Sequence, residues 1–201
     1  MSLHFHPFSD FIVIVGRKGQ GKTTFTKFMV KHIRSHVLAI DPTWQFHIGY
    51  IVHFPERIAA AFQKFSLVVY QPKSMDKETY HQAFSECLKF SNYTLIVDEV
   101  DEFAPSTGII IKPFKEIVNR GRAQGIGLIC NTRRPASMHK NIRSNADYVI
   151  CFQMHEEDDV KYMSKWMGIT EEQIKTLESY HSILYIVQGS KTILQSPCPL
   201  I

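Results

Sequence analysis

Short apolar runs and segments of helical period alternate along this chain, the pattern of an α/β fold with a mainly parallel sheet. Phe11-Ile-Val-Ile-Val15 is a continuous apolar run of strand length, as expected for a strand buried on both faces. Lys22 to Ser35 carries Phe25, Phe28, Met29 and Ile33 at helical spacing and predicts an amphipathic helix. Further short strands are predicted at 37–40, 67–70, 95–97, 128–130 and 148–152. Helices are predicted at 56–64, 77–90, 113–124, 156–167 and 171–179. The last opens with Thr170 and has Gln173 three residues on, a capping box. Residues 182–187 and 192–195, split by Gln188-Gly-Ser190, predict a closing hairpin. No repeat, low-complexity tract or linker interrupts the pattern, so residues 1–201 read as one domain.

Composition adds limits. The chain has 201 residues, the size of one domain at roughly 100–200 residues each. It is 44% hydrophobic and 21% charged, which excludes a disordered or fibrous chain. No apolar run nears the roughly 20 residues that cross a bilayer, and the start lacks the layout of a secretory signal. Cys87, Cys130, Cys151 and Cys198 are far apart with no C-x-x-C pair, which fits reduced thiols in an intracellular protein. A net charge of +4 permits nucleic-acid contact without demonstrating it.

Gly16-Arg-Lys-Gly-Gln-Gly-Lys22-Thr23 fits G-x-x-x-x-G-K-[ST] and lies between a predicted strand and a predicted helix, the context such a motif requires. Gly16, Gly19 and Gly21 let the backbone curl so that N–H groups face phosphate oxygens, with Gln20 and Thr24 inside the same stretch. The helix adds its positive end. Lys22 is placed to reach the β and γ phosphates and Thr23 to ligate Mg²⁺, so ATP and Mg²⁺ are the expected ligands.

Thr94-Leu-Ile-Val-Asp98-Glu99 is an apolar strand ending in two carboxylates. In a parallel sheet the carboxyl ends of the strands line the ligand crevice, so Asp98 is expected to face the phosphates and hold Mg²⁺. Glu99, one residue on, is placed to orient and deprotonate an attacking water, which favours hydrolysis.

Phe114, Ile117, Val118 and Gly121 mark the core face of the helix before the next strand, which leaves Arg120 and Arg122 free to serve a neighbour. Arginine is the usual trans-acting group at a transferring phosphoryl. A phosphate loop, a strand-ending Asp-Glu, an arginine before Gly-Ile-Gly-Leu-Ile-Cys, then Asn131-Thr-Arg133-Arg134-Pro135 together resemble the FtsK/HerA superfamily of DNA-translocating ATPases. Within it, the chain is similar to genome-packaging ATPases of tailless icosahedral double-stranded DNA viruses, including those of archaea. The resemblance covers roughly residues 11 to 155. It implies a RecA-like P-loop NTPase fold with helices on both faces of the sheet. It also implies a homo-oligomeric ring, usually hexameric, with ATP between subunits, double-stranded DNA held by backbone contacts, and a capsid or portal-like vertex as partner. The setting is then the host cytoplasm or the virion. By position it makes Lys22 and Thr23 phosphate and Mg²⁺ ligands, Asp98 a Mg²⁺ ligand, Glu99 the base, Arg122 the first choice of arginine finger and Arg120 the second. The family commonly has Gln where this chain has Arg133, so the sensing role falls to Asn131, Thr132 or, by charge, Arg133.

Other features read more plainly. His32 and His36, at i,i+4 on the predicted helix, lack a third metal ligand, and His4-Phe-His6 is a chain start. Asp41-Pro42 is read as a strand-end turn before a contact to nucleotide or a neighbour, Lys140 and Arg143 as loop charges or contacts to DNA phosphates, and Trp44, Phe46 and Trp166 as packing residues before base-stacking ones. Two alternatives compete with a motor: a nucleoside kinase of the thymidine kinase type, which usually carries paired zinc cysteines, and an ATP-dependent assembly scaffold that does not hydrolyse.

Overall fold

A computed structural model of the chain describes residues 5–195 and 197, so His4 and Cys198 fall outside the described residues. Strands are β1 (Phe11–Val15), β2 (His36–Ile40), β3 (Tyr50–Val52), β4 (Leu67–Tyr70), β5 (Tyr93–Val97), β6 (Ile126–Thr132), β7 (Tyr148–Phe152), β8 (Ser182–Ile186) and β9 (Lys191–Gln195). Helices are α1 (Lys22–His32), α2 (Ile58–Phe62), α3 (Lys77–Cys87), α4 (Lys112–Arg120), α5 (Lys140–Asn145), α6 (Glu157–Met167) and α7 (Glu171–Lys175).

The strands form one nine-stranded sheet in the order β3-β4-β2-β5-β6-β1-β7-β8-β9. All pairings from β3 to β7 are parallel, and β8 and β9 close the sheet as an antiparallel hairpin. Every residue of β1 is buried because both faces are covered. Phe11, Val13 and Val15 join the core beneath α2 to α7, which includes Ile58, Phe84, Phe114 and Met163. Ile12 and Ile14 point the other way, to Met29 and Val30 of α1 and to Phe46. The expected helices on both faces are therefore present, but six of the seven lie on one side.

Differences from the sequence reading are local. The first helix ends at His32, not Ser35, because Ile33 is extended (φ −78°, ψ 114°) and β2 begins at His36, where Tyr93 pairs with it. His32 and His36 thus do not share a helix: His32 Nδ1 meets the Phe28 carbonyl, and His36 packs on the Phe62 ring. The Pro113–Gln124 helix is α4 followed by a 3₁₀ turn, Gly121–Gln124. Gly125 closes that turn at φ 70°, where a Cβ would lie 2.3 Å from Asn92 Oδ1. Helices predicted to 64, 90 and 179 stop at Phe62, Cys87 and Lys175. β3 and α5 went unpredicted: β3 is a three-residue edge strand, and Ile142 is the one buried residue of α5. The capping box at Thr170 and Gln173 forms as expected.

Candidate nucleotide and catalytic site

At the carboxyl ends of the parallel strands, the chain leaves β1 through Gly16 and enters α1 at Lys22. Gly16 takes φ 151° directly against Phe152, where a Cβ would sit 2.6 Å from the Phe152 Cβ. Gly19 and Gly21 take φ 83° and 109°, which curl the loop. Lys22 is 8% exposed, and its ammonium folds back to donate to the carbonyls of Gly16 (2.6 Å) and Arg17 (3.2 Å). Burial lowers its pKa, against the charges of Glu99 and Asp98.

Because β6 lies between β5 and β1, Asp98 at the end of β5 faces the loop across one strand. Asp98 is 3% exposed and held by two donors: Asn131 Nδ2 at 3.1 Å on one oxygen and Thr43 Oγ1 at 2.9 Å on the other. Asn131 in turn accepts from Thr26 Oγ1 at 3.2 Å, which ties β6, β5 and α1 together. Burial raises the Asp98 pKa, opposed by those hydrogen bonds. Asp41 forms the turn that presents Thr43. It is buried, accepts from the backbone N–H groups of Gln45 and Phe46, and meets Gln71 Nε2 at 2.9 Å.

Glu99 is a strained residue of the site, a non-glycine in the left-handed region (φ 49°, ψ 53°). Its carboxylate is nearly buried and meets Arg133 Nε at 2.7 Å. Burial first, then the Asp98 charge, push its pKa up to about 7, with Arg133 opposing. Thr132, the residue before, turns away to donate to Asp101 Oδ1 at 2.6 Å. Of the three sensing candidates, Arg133 lines the cleft, whereas Asn131 supports Asp98 from behind it.

The cleft is open to solvent and has a cavity volume of about 200 Å³. Gly19, Gly21, Lys22, Thr23 and Thr24 form its floor, and Asp98, Glu99 and Arg133 one wall. Gly16 and Gln20 lie outside the lining; Gln20 is buried, with its amide oxygen accepting from Arg17 at 3.1–3.2 Å. Thr23 Oγ1 donates to Gln45 Oε1 at 3.2 Å. Lys18, Gln45 and Tyr180 complete the lining, and the sequence reading missed all three, as it missed Thr43. A curled glycine loop, one ammonium, one hydroxyl and a buried carboxylate are the donor set of a phosphate chain with a hard divalent cation, so the residues fit ATP and Mg²⁺.

Arg120 and Arg122 are not in this cleft. α4 carries the chain back to the start of β6, so both lie at the amino ends of the parallel strands, away from the cleft at their carboxyl ends. There Arg122 donates to the Ser9 carbonyl (3.1 Å) and pairs with Asp147 at 2.5 Å. Arg120 is exposed, and its guanidinium makes no hydrogen bond or ion pair among the described residues. Arg143 stacks over Tyr162 and Trp166, at 5.7 and 5.9 Å, and Trp44 donates to the Pro72 carbonyl.

Fold and cleft together define a P-loop NTPase. The chain belongs to the poxvirus A32 protein family, which matches residues 1–194. No curated protein sequence matches it. In solved structures it is similar to the genome packaging NTPase B204 of Sulfolobus turreted icosahedral virus 2 in complex with AMPPCP, with 22% identity, TM-score 0.81, and 95% of this chain and 98% of that one covered. The DNA-packaging ATPase B204 of Sulfolobus turreted icosahedral virus follows with 23% identity, TM-score 0.78, and 97% and 100% covered. VirB4 of Thermoanaerobacter pseudethanolicus shares the fold at 10% identity, TM-score 0.72, with 94% and 89% covered. The resemblance to viral packaging ATPases is thus borne out in family and fold.

Proposed function

We propose that this chain is an ATP-hydrolysing motor that translocates double-stranded DNA and packages a viral genome into a capsid. The observation that carries the reading is the meeting of Lys22, Asp98 and Glu99 in one cleft, in a chain whose fold matches a DNA-packaging ATPase. Lys22 leaves the Gly16 carbonyl for the β and γ phosphates, drawn by their charge. Thr23 and Asp98 would hold Mg²⁺, which when bound would neutralise charge on the phosphate oxygens. Glu99 orients a water in line with the γ-phosphorus and takes its proton as the oxygen attacks. The γ-phosphoryl leaves the bridging oxygen, and ADP departs with that electron pair.

An arginine at the amino ends of the strands cannot serve its own cleft at their carboxyl ends, so the finger comes from the next subunit of a homo-oligomeric ring, which couples hydrolysis to subunit movement. Arg122 is occupied by Asp147, and we therefore place Arg120 first as the finger. Arg133 acts on Glu99. The ring works as one ATPase unit per chain, in the host cytoplasm at a capsid vertex, and grips the DNA backbone. A nucleoside kinase is disfavoured because the three described cysteines are buried and separate, which leaves no paired zinc cysteines among them.

The test is displacement of a labelled third strand from a long duplex by the wild-type protein with ATP. Strand release that requires ATP hydrolysis supports the motor. Hydrolysis without release, on any duplex, leaves an ATPase that does not translocate.

A further inference from the structure

The cleft has a wall that phosphate chemistry does not use. Across the sheet, the order β5-β6-β1-β7-β8 puts Asp98 and Glu99 on one side of the phosphate loop. On the other side, β7 and β8 pair with Phe152 opposite Ser182, so the residues just before β8 sit level with that loop. Tyr180 is there. It lines the cleft, half-buried, with its ring edge against the start of α1: a Cβ on Gly21 would lie 2.9 Å from Tyr180 Cδ1.

Two further observations single it out. Every other lining residue among those described is glycine, charged, hydroxyl-bearing or amide, so Tyr180 is the one aromatic side chain lining the cleft among the described residues. Its backbone is left-handed, φ 66°, a conformation costly for a bulky residue and kept only where the surroundings enforce it. The frame that enforces it is visible: His181 N–H donates to the Glu178 carbonyl at 3.1 Å, and Gln153 Nε2 ties the end of α7 to β7 through the Lys175 carbonyl at 2.9 Å.

A triphosphate with its γ end at Glu99 runs along the loop and points its nucleoside away from β5. We propose that the Tyr180 ring is the platform on which the nucleobase stacks, and that it sets the preference for purine triphosphates. This rests on the NTPase reading above. Base stacking on an aromatic side chain is sequence-tolerant but grows with ring area, which favours purines over pyrimidines.

The experiment compares Mg²⁺-AMPPCP with Mg²⁺-tripolyphosphate, which has the phosphates and no base, by calorimetric titration of wild type, Tyr180→Phe and Tyr180→Asn. Asn removes the ring yet tolerates the left-handed backbone. The expected result is a 5- to 150-fold loss of AMPPCP affinity in Tyr180→Asn, about 1–3 kcal/mol at 1.4 kcal/mol per tenfold, with tripolyphosphate unchanged and Phe equal to wild type. Unchanged AMPPCP affinity overturns the platform. So does an equal loss for tripolyphosphate, since Tyr180 would then only brace the loop. Wild type that binds neither probe removes the NTPase reading itself, and the platform with it.

Discussion

Arg120 and Arg122 lie two residues apart, yet their surroundings predict opposite phenotypes. Arg122→Ala removes an ion pair whose side chains are 61% and 32% exposed, worth ~0.2–1 kcal/mol in such solvent. It also removes the hydrogen bond to the Ser9 carbonyl, worth ~0.5–1.5 kcal/mol. The sum, ~0.7–2.5 kcal/mol, lowers Tm by about 1–10 °C in a protein of this size. Arg120→Ala breaks no hydrogen bond or ion pair among the described residues, and a surface change of that kind moves stability by no more than ~0.5 kcal/mol. As a trans finger, however, Arg120 should cost about 10³–10⁵ in kcat. Thermal melts and ATP turnover at high protein concentration separate the two. Mixing sharpens the test: Arg120→Ala and Glu99→Gln proteins, each inactive, regain turnover together. Head-to-tail pairing in a one-to-one mixture joins an intact Glu99 to an intact neighbouring Arg120 at about a quarter of interfaces. Wild-type turnover by Arg120→Ala, with turnover lost in Arg122→Ala at an unchanged Tm, would refute the assignment.

Three other outcomes follow from the same geometry. Gly16→Ala drives a Cβ into Phe152 and should cost ~1–3 kcal/mol in stability while AMPPCP affinity falls; an unchanged melt and titration would show the loop has room. Glu99 must be ionised to act, and its pKa stands raised to about 7, so kcat/KM should fall as pH drops through about 7 and level off above it; a flat profile from pH 5 to 8 would exclude Glu99 as the base. Burial raises the pKa of the Cys87, Cys130 and Cys151 thiols, so a Cys198→Ser variant should resist a thiol-reactive disulfide reagent until it unfolds, and rapid labelling of the native protein would contradict that burial.

The chemistry of this chain was more legible than its neighbourhoods. β1, β4 and β7 were readable because a strand buried on both faces is a plain apolar run. Lys22, Asp98 and Glu99 were readable because a phosphate loop and a carboxylate-ended strand have fixed places in a parallel sheet. Thr43 and Tyr180 carry no such signature. Thr43 reaches Asp98 from 55 residues away through a turn that buried Asp41 organises, and Tyr180 reaches Gly21 only because β8 reverses beside β7. β3 was silent because an edge strand of three residues, two of them exposed, has no period to show. Arg122 shows the reverse failure: its helical phase places it at the core edge, but only the fold brings Asp147 to it from before β7.

The central claim is that Glu99 activates water against bound ATP in a DNA-engaged ring. It is tested most directly by ATP turnover at high protein concentration, with and without long double-stranded DNA, for wild type and Glu99→Gln. Turnover stimulated by DNA in the wild type and abolished in Glu99→Gln, which still binds AMPPCP, is the predicted result. Equal turnover in both proteins, or none in the wild type despite tight AMPPCP binding, would contradict the account.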